Sequence, residues 1–132
     1  MSQSSKKKLN LSRKHKSKYE TIIDDFLKTT GTRYEYEPFA ITYVVPVASR
    51  KYTPDFILET GIIVEAKGYF DAEDRKKHLL IKEQHPQLDI RFLFYRNQKL
   101  HKKSKMRYSD WCDKHGFYYA IGTEPPIDWY TP

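Results

Sequence analysis

The chain has 132 residues, 31% of them charged, and a mean hydropathy of −0.80, which fits one domain with a modest core that a second copy sharing it would help. Eleven tyrosines exclude a simply disordered chain, the single Cys112 excludes an internal disulfide and suggests a reducing compartment, and no apolar run approaches membrane-spanning length. There is no Cys/His zinc spacing, no Gly-rich phosphate loop and no nucleophile elbow, so no small-molecule cofactor is expected.

The net charge of +7 is carried entirely by residues 1–18, which hold Lys6, Lys7, Lys8, Arg13, Lys14, Lys16 and Lys18 and no acid. Residues 1–17 read as a flexible basic arm, with 18–132 as the folded domain. The arm lacks the apolar stretch of a secretory signal and the apolar face of a membrane-surface helix, so its natural partner is nucleic acid. Tyr19, Ile22, Ile23, Phe26 and Leu27 then recur at helical spacing, with Gly31 as the stop. Ser17-x-x-Glu20 is a capping-box pattern that accounts for Glu20 without any chemistry.

Arg33 to Val47 suggests extended chain, punctuated by Pro38 and Pro46. With no obvious tight turn back, residues 38–50 could cross to another subunit. Phe56-Ile57-Leu58 and Ile62-Ile63-Val64 form two short strands around Glu59-Thr60-Gly61. Centring the hairpin on Thr60 sets Asp55 opposite Glu65, and alternation puts Glu65 and Lys67 on one face. Two carboxylates so close repel each other, and a hard divalent cation, Mg²⁺ or Mn²⁺, would relieve that. A surface hairpin could carry the same acids, but Ile63, Val64 and Ala66 mark the strand as mostly buried.

A helix follows from about Asp71 to Gln84, with Arg75 and Lys76 on a basic face suited to phosphates; His78 could be a ligand or base, but a histidine on a helix of mixed polarity is more often structural. Ile90 to Tyr95 is a core strand. Residues 91–107 carry Lys99, Lys102, Lys103 and four more cations without an acid, edged by Tyr95 and Tyr108, a composition suited to a DNA backbone and exposed bases. Ser109 can cap a short helix to His115, which includes Cys112 as a plain helix residue; Phe117 to Ala120 is the last strand, and Trp129 anchors a terminal turn.

Asp55-x9-Glu65-x-Lys67 resembles the PD-(D/E)xK nuclease pattern. Tyr52-Thr53-Pro54-Asp55-Phe56, Val64-Glu65-Ala66-Lys67-Gly68, Asp74 to Ile81 and Glu83 to Arg91 resemble the phage endonuclease I family, with similarity running from about Lys18 to Trp129. The resemblance implies an α/β, restriction-endonuclease-like core, a mixed β-sheet flanked by helices, and an intertwined, domain-swapped homodimer bridged near 38–50. It implies an endonuclease cutting branched DNA, above all four-way junctions, in the cytoplasm of a bacterial host. Asp55, Glu65 and the carbonyl of Ala66 would hold one metal ion, and Asp55 with Glu20 a second; Lys67 would position or deprotonate the attacking water. A nicking or sequence-specific enzyme on the same core, and a non-catalytic DNA-binding module, are the alternatives. Family members often carry a basic C-terminal extension; here the chain ends at Pro132, which places more of the DNA contact on the arm.

Overall fold

The computed structural model describes residues 17–45 and 48–132. The basic cations expected at Lys6 to Lys16 and the connection at 46–47 lie outside the described residues. Helix α1 spans Lys18–Thr30, and strands β1 to β5 follow at Tyr34–Tyr36, Ile41–Val45, Ala48–Tyr52, Phe56–Leu58 and Ile63–Lys67. Then come α2 (Ala72–Gln84), β6 (Ile90–Phe94), α3 (Tyr108–His115), β7 (Tyr119–Ile121) and α4 (Ile127–Tyr130). Among the described residues, no helix is long and apolar enough to cross a membrane.

Five strands form one mixed sheet in the order β1-β4-β5-β6-β7. β1, β4 and β5 run antiparallel, whereas β5, β6 and β7 run parallel. Parallel neighbours need long crossovers, and α2 and α3 supply them. The side chains of β6 alternate: Ile90, Phe92 and Phe94 join an aromatic core with Ile81, Trp111 and Phe117, while Leu93 joins Ile23, Leu27, Val64 and Trp129 on the other face. Trp129 is the expected anchor, and its carbonyl accepts a hydrogen bond from Thr60 Oγ1 at 2.7 Å.

Three local expectations change. The extended run before the hairpin divides between two sheets: β1 joins the main sheet, while β2 pairs antiparallel with β3 in a separate one. Glu37, at φ 45° and just before the restrictive Pro38, turns the chain between them. Helix α3 is capped by Arg107 rather than Ser109, because the Asp110 carboxylate accepts the Arg107 N–H at 2.8 Å. In α1, Ile22 remains 46% exposed, so the buried stripe narrows to Ile23 and Leu27.

Candidate active site

Asp55 stands just before β4, where two strand registers meet. Phe56 pairs with Val64, so the next position sets Asp55 opposite Glu65, as the Thr60-centred hairpin requires. Phe56 also pairs with Tyr36, so Asp55 lies opposite Glu37 on the other side. Hydrogen bonds lock both: Glu37 N–H to the Asp55 carbonyl at 2.9 Å, and Asp55 N–H to Glu65 Oε2 at 3.1 Å. The Asp55 carboxylate accepts from Ala66 N–H at 2.9 Å. Burial, reinforced by Glu65 and Glu20, pushes the Asp55 carboxyl well above its usual range, against the pull of Lys67 and the Ala66 N–H.

The inner half of the site is dry. Glu65 is 3% exposed, and its Oε2 also accepts the Tyr52 hydroxyl at 2.6 Å. Burial raises its carboxyl, while Lys67, Tyr52 and the Asp55 N–H act in the opposite direction. Lys67 Nζ lies 3.8 Å from Glu65 Oε1 and 3.6 Å from Asp74 Oδ1. Burial pulls that ammonium down, but Glu65, Asp74 and Asp55 outweigh it and raise Lys67 above its ordinary value.

The outer half consists of acids. One carboxylate oxygen each from Glu20, Glu37 and Asp55 lies within 4.8 Å of the others, a set that could hold a cation. Glu65 is not in that set. Glu20 reaches it from the first turn of α1. There the Tyr19 hydroxyl fixes the helix end, 2.6 Å from the Gly122 carbonyl and 3.1 Å from that of Leu93. Both halves of the capping box are also formed: Glu20 N–H donates to Ser17 Oγ at 3.0 Å, and Glu20 Oε1 accepts from Ser17 N–H at 3.1 Å. The cap and the acid cluster therefore draw on one side chain. Sequence reasoning missed Glu37. The signal exists only in the β1–β4 register, which no local turn announces.

Glu20, Asp55, Lys67, Tyr69 and Asp74 line one pocket. It adjoins two cationic hollows. Through Asp74 it meets a hollow with Arg50, Lys76 and Lys77, and through Tyr69 one with Lys99, Lys102 and Arg107. A bridge between Lys99 and Arg107 closes the second loop, leaving Lys103 exposed near its tip. Arg75 donates to the Phe70 carbonyl at 2.8 Å and so secures the start of α2. Tyr108 is not an edge aromatic: it is 1% exposed, and its hydroxyl accepts the Phe70 N–H. Tyr69, 69% exposed, takes the rim position instead.

The family profile described as phage endonuclease I matches residues 1–130. Endodeoxyribonuclease 1 of Enterobacteria phage T3 is 47% identical over 109 residues, covering 82% of this chain and 72% of the relative. Endonuclease I of Escherichia phage T7 is 46% identical over 106 residues, covering 80% of this chain and 71% of the relative.

Proposed function

The chain belongs to the phage endonuclease I family and is an endonuclease, and we propose that it hydrolyses DNA phosphodiesters at four-way junctions and other branches with the help of divalent cations. The observation that carries this reading is the acid pocket set between two cationic hollows. A DNA backbone laid along that line has phosphates held by Lys76 and Lys77 on one side and by Lys99 and Lys102 on the other. Its middle phosphate then falls on the carboxylates. Lys6, Lys7, Lys8, Arg13, Lys14 and Lys16 would extend the grip.

The donors are all oxygens, which fits Mg²⁺ or Mn²⁺. Glu20, Glu37 and Asp55 would hold one ion, and Asp55, Glu65 and the Ala66 carbonyl a second. Such ions, when bound, stabilise the charge that develops on the attacking and leaving oxygens. The protein's own part is orientation. The Ala66 N–H aims Asp55, Tyr52 aims Glu65, and the protonated Lys67 presents N–H donors to the phosphate or the attacking water.

The partner is branched DNA in the host cytoplasm, and the working unit is an intertwined homodimer. Within one chain β2 already pairs back onto β3, Val45 beside Ala48, and in the exchanged dimer the same pairing would form between β2 of one chain and β3 of the other. In that arrangement Glu20 of one chain completes the Asp55 site of the other. Purified mixed dimers of Glu20→Ala and Asp55→Asn subunits should then nick one strand, and no nicking above the parental dimers overturns the exchange. The function itself is tested by cleavage of a four-way junction against a linear duplex of the same sequence, in Mg²⁺ or chelator. Rapid junction cleavage that chelator abolishes is expected. Equal cutting of the duplex would favour the nicking reading, and undiminished cutting in chelator would remove the carboxylate mechanism.

A further inference from the structure

His78 is wholly buried on α2, and among the described residues neither of its ring nitrogens has a hydrogen-bond partner. Its ring is caged by Tyr52 at 5.4 Å, Phe92 at 4.9 Å and Phe70 at 6.4 Å between centroids. A phenylalanine would fill this cage without two unsatisfied nitrogens, so a histidine here needs a reason beyond packing. The reason faces the active site: Nε2 lies 3.7 Å from Glu65 Oε1. A neutral imidazole carries one N–H, on Nε2 or on Nδ1, and only the first faces Glu65.

Glu65 explains the direction. Its Oε2 has two close donors, Tyr52 and the Asp55 N–H. Among the described residues its Oε1 has none within hydrogen-bond distance, only Lys67 at 3.8 Å and His78 at 3.7 Å. Lys67 is shared with Asp74 and lines the pocket, so it is the partner free to turn toward a bound phosphate. His78 is enclosed and is not. Resting on the nuclease reading above, we propose that His78 is a positioning residue: its Nε2–H closes on Glu65 Oε1, by a shift of about half an ångström, as Lys67 turns to the substrate. Glu65 then keeps its orientation through the reaction. His78 touches neither DNA nor the attacking water.

Two measurements test this. In the long-range ¹H–¹⁵N spectrum of the metal-free protein, the His78 signals, identified by their absence in His78→Phe, should be those of the Nε2–H tautomer. The Nδ1–H tautomer overturns the proposal, because that proton points away from Glu65. In single-turnover cleavage of a four-way junction, His78→Phe should melt no lower than the wild type yet react on the order of 10–100-fold more slowly, with DNA affinity unchanged. His78→Gln, whose amide can reach Oε1, should melt lower but recover part of the rate. A purely structural residue would give the reverse order, with rate following stability, and full activity in His78→Phe overturns the proposal. A wild type that fails to cleave the junction defeats the nuclease reading instead, and the tautomer still decides the role of His78.

Discussion

The two halves of the pocket handle negative charge in opposite ways. Glu65, on the inner side, is almost completely buried but compensated by the Tyr52 hydroxyl, the Asp55 N–H and the Lys67 ammonium. Glu20, Glu37 and Asp55, on the outer side, are partly exposed and crowd oxygen against oxygen, and among the described residues none of them joins an ion pair. The inner half is mostly satisfied, with Glu65 Oε1 and the His78 ring still short of close partners among the described residues. The outer half gathers three carboxylates, and a cation from solution would neutralise them. Preorganised donors and gathered acids therefore share one site, with Asp55 a member of both.

Removing the shared member should have the largest effect. Asp55→Asn should lower cleavage by on the order of 10³-fold or more, since electrostatic stabilisation of several kcal/mol is at stake and each 1.36 kcal/mol is tenfold. The same change should stabilise the metal-free protein at neutral pH. The sign follows from the raised carboxyl of Asp55. Below its ordinary value of 3.8 the group is protonated in both folded and unfolded chains, so it exerts no penalty there. As pH rises through the folded value, the unfolded chain releases its proton more readily, and folding stability falls. Chemical denaturation of both proteins at pH 3 and pH 8 should show the gain only at the higher pH.

Breaking the inner half should act in the other direction on stability. Tyr52→Phe removes the hydroxyl from Glu65 Oε2 and should destabilise the fold by about 1–3 kcal/mol, with a loss of activity as well. A variant as stable as the wild type would show that Glu65 is not held as described. Glu37→Gln should be milder. It thins the outer cluster without touching the inner one, so the Mg²⁺ concentration needed for half-maximal cleavage should rise roughly tenfold while the rate at saturation changes little. Ser17→Ala should be smallest, a loss of about 1 kcal/mol from the start of α1. Cleavage at saturating Mg²⁺ should survive it, because the Glu20 carboxylate is held by the backbone N–H of residue 17, which alanine keeps.

The inner half was legible before the fold was known, because its geometry is local. The Glu59-Thr60-Gly61 turn sets one register, which places Asp55 against Glu65, and strand alternation adds Lys67. The capping box of α1 and the Gly31 stop at φ 72° are equally local. The outer half depends on a distant pairing. β1 reaches β4 across an inserted β2–β3 hairpin, so nothing near Glu37 in sequence announces its place beside Asp55. Tyr108 misled for a related reason. At the edge of a basic loop a lone aromatic has no periodic pattern to reveal its face, and only the packing of α3 buries it. Tyr52 shows the same limit: as the last residue of β3 it carries no mark that its hydroxyl belongs to Glu65.

The reading of the outer carboxylates as a cation site is tested most directly by thermal melting in rising Mg²⁺, wild type against Asp55→Asn. The wild type should start lower and climb with Mg²⁺, as binding to the folded state alone requires. Asp55→Asn should start higher and stay nearly flat, so that the two curves converge or cross. Parallel curves, or a wild type that does not respond to Mg²⁺, would contradict the account.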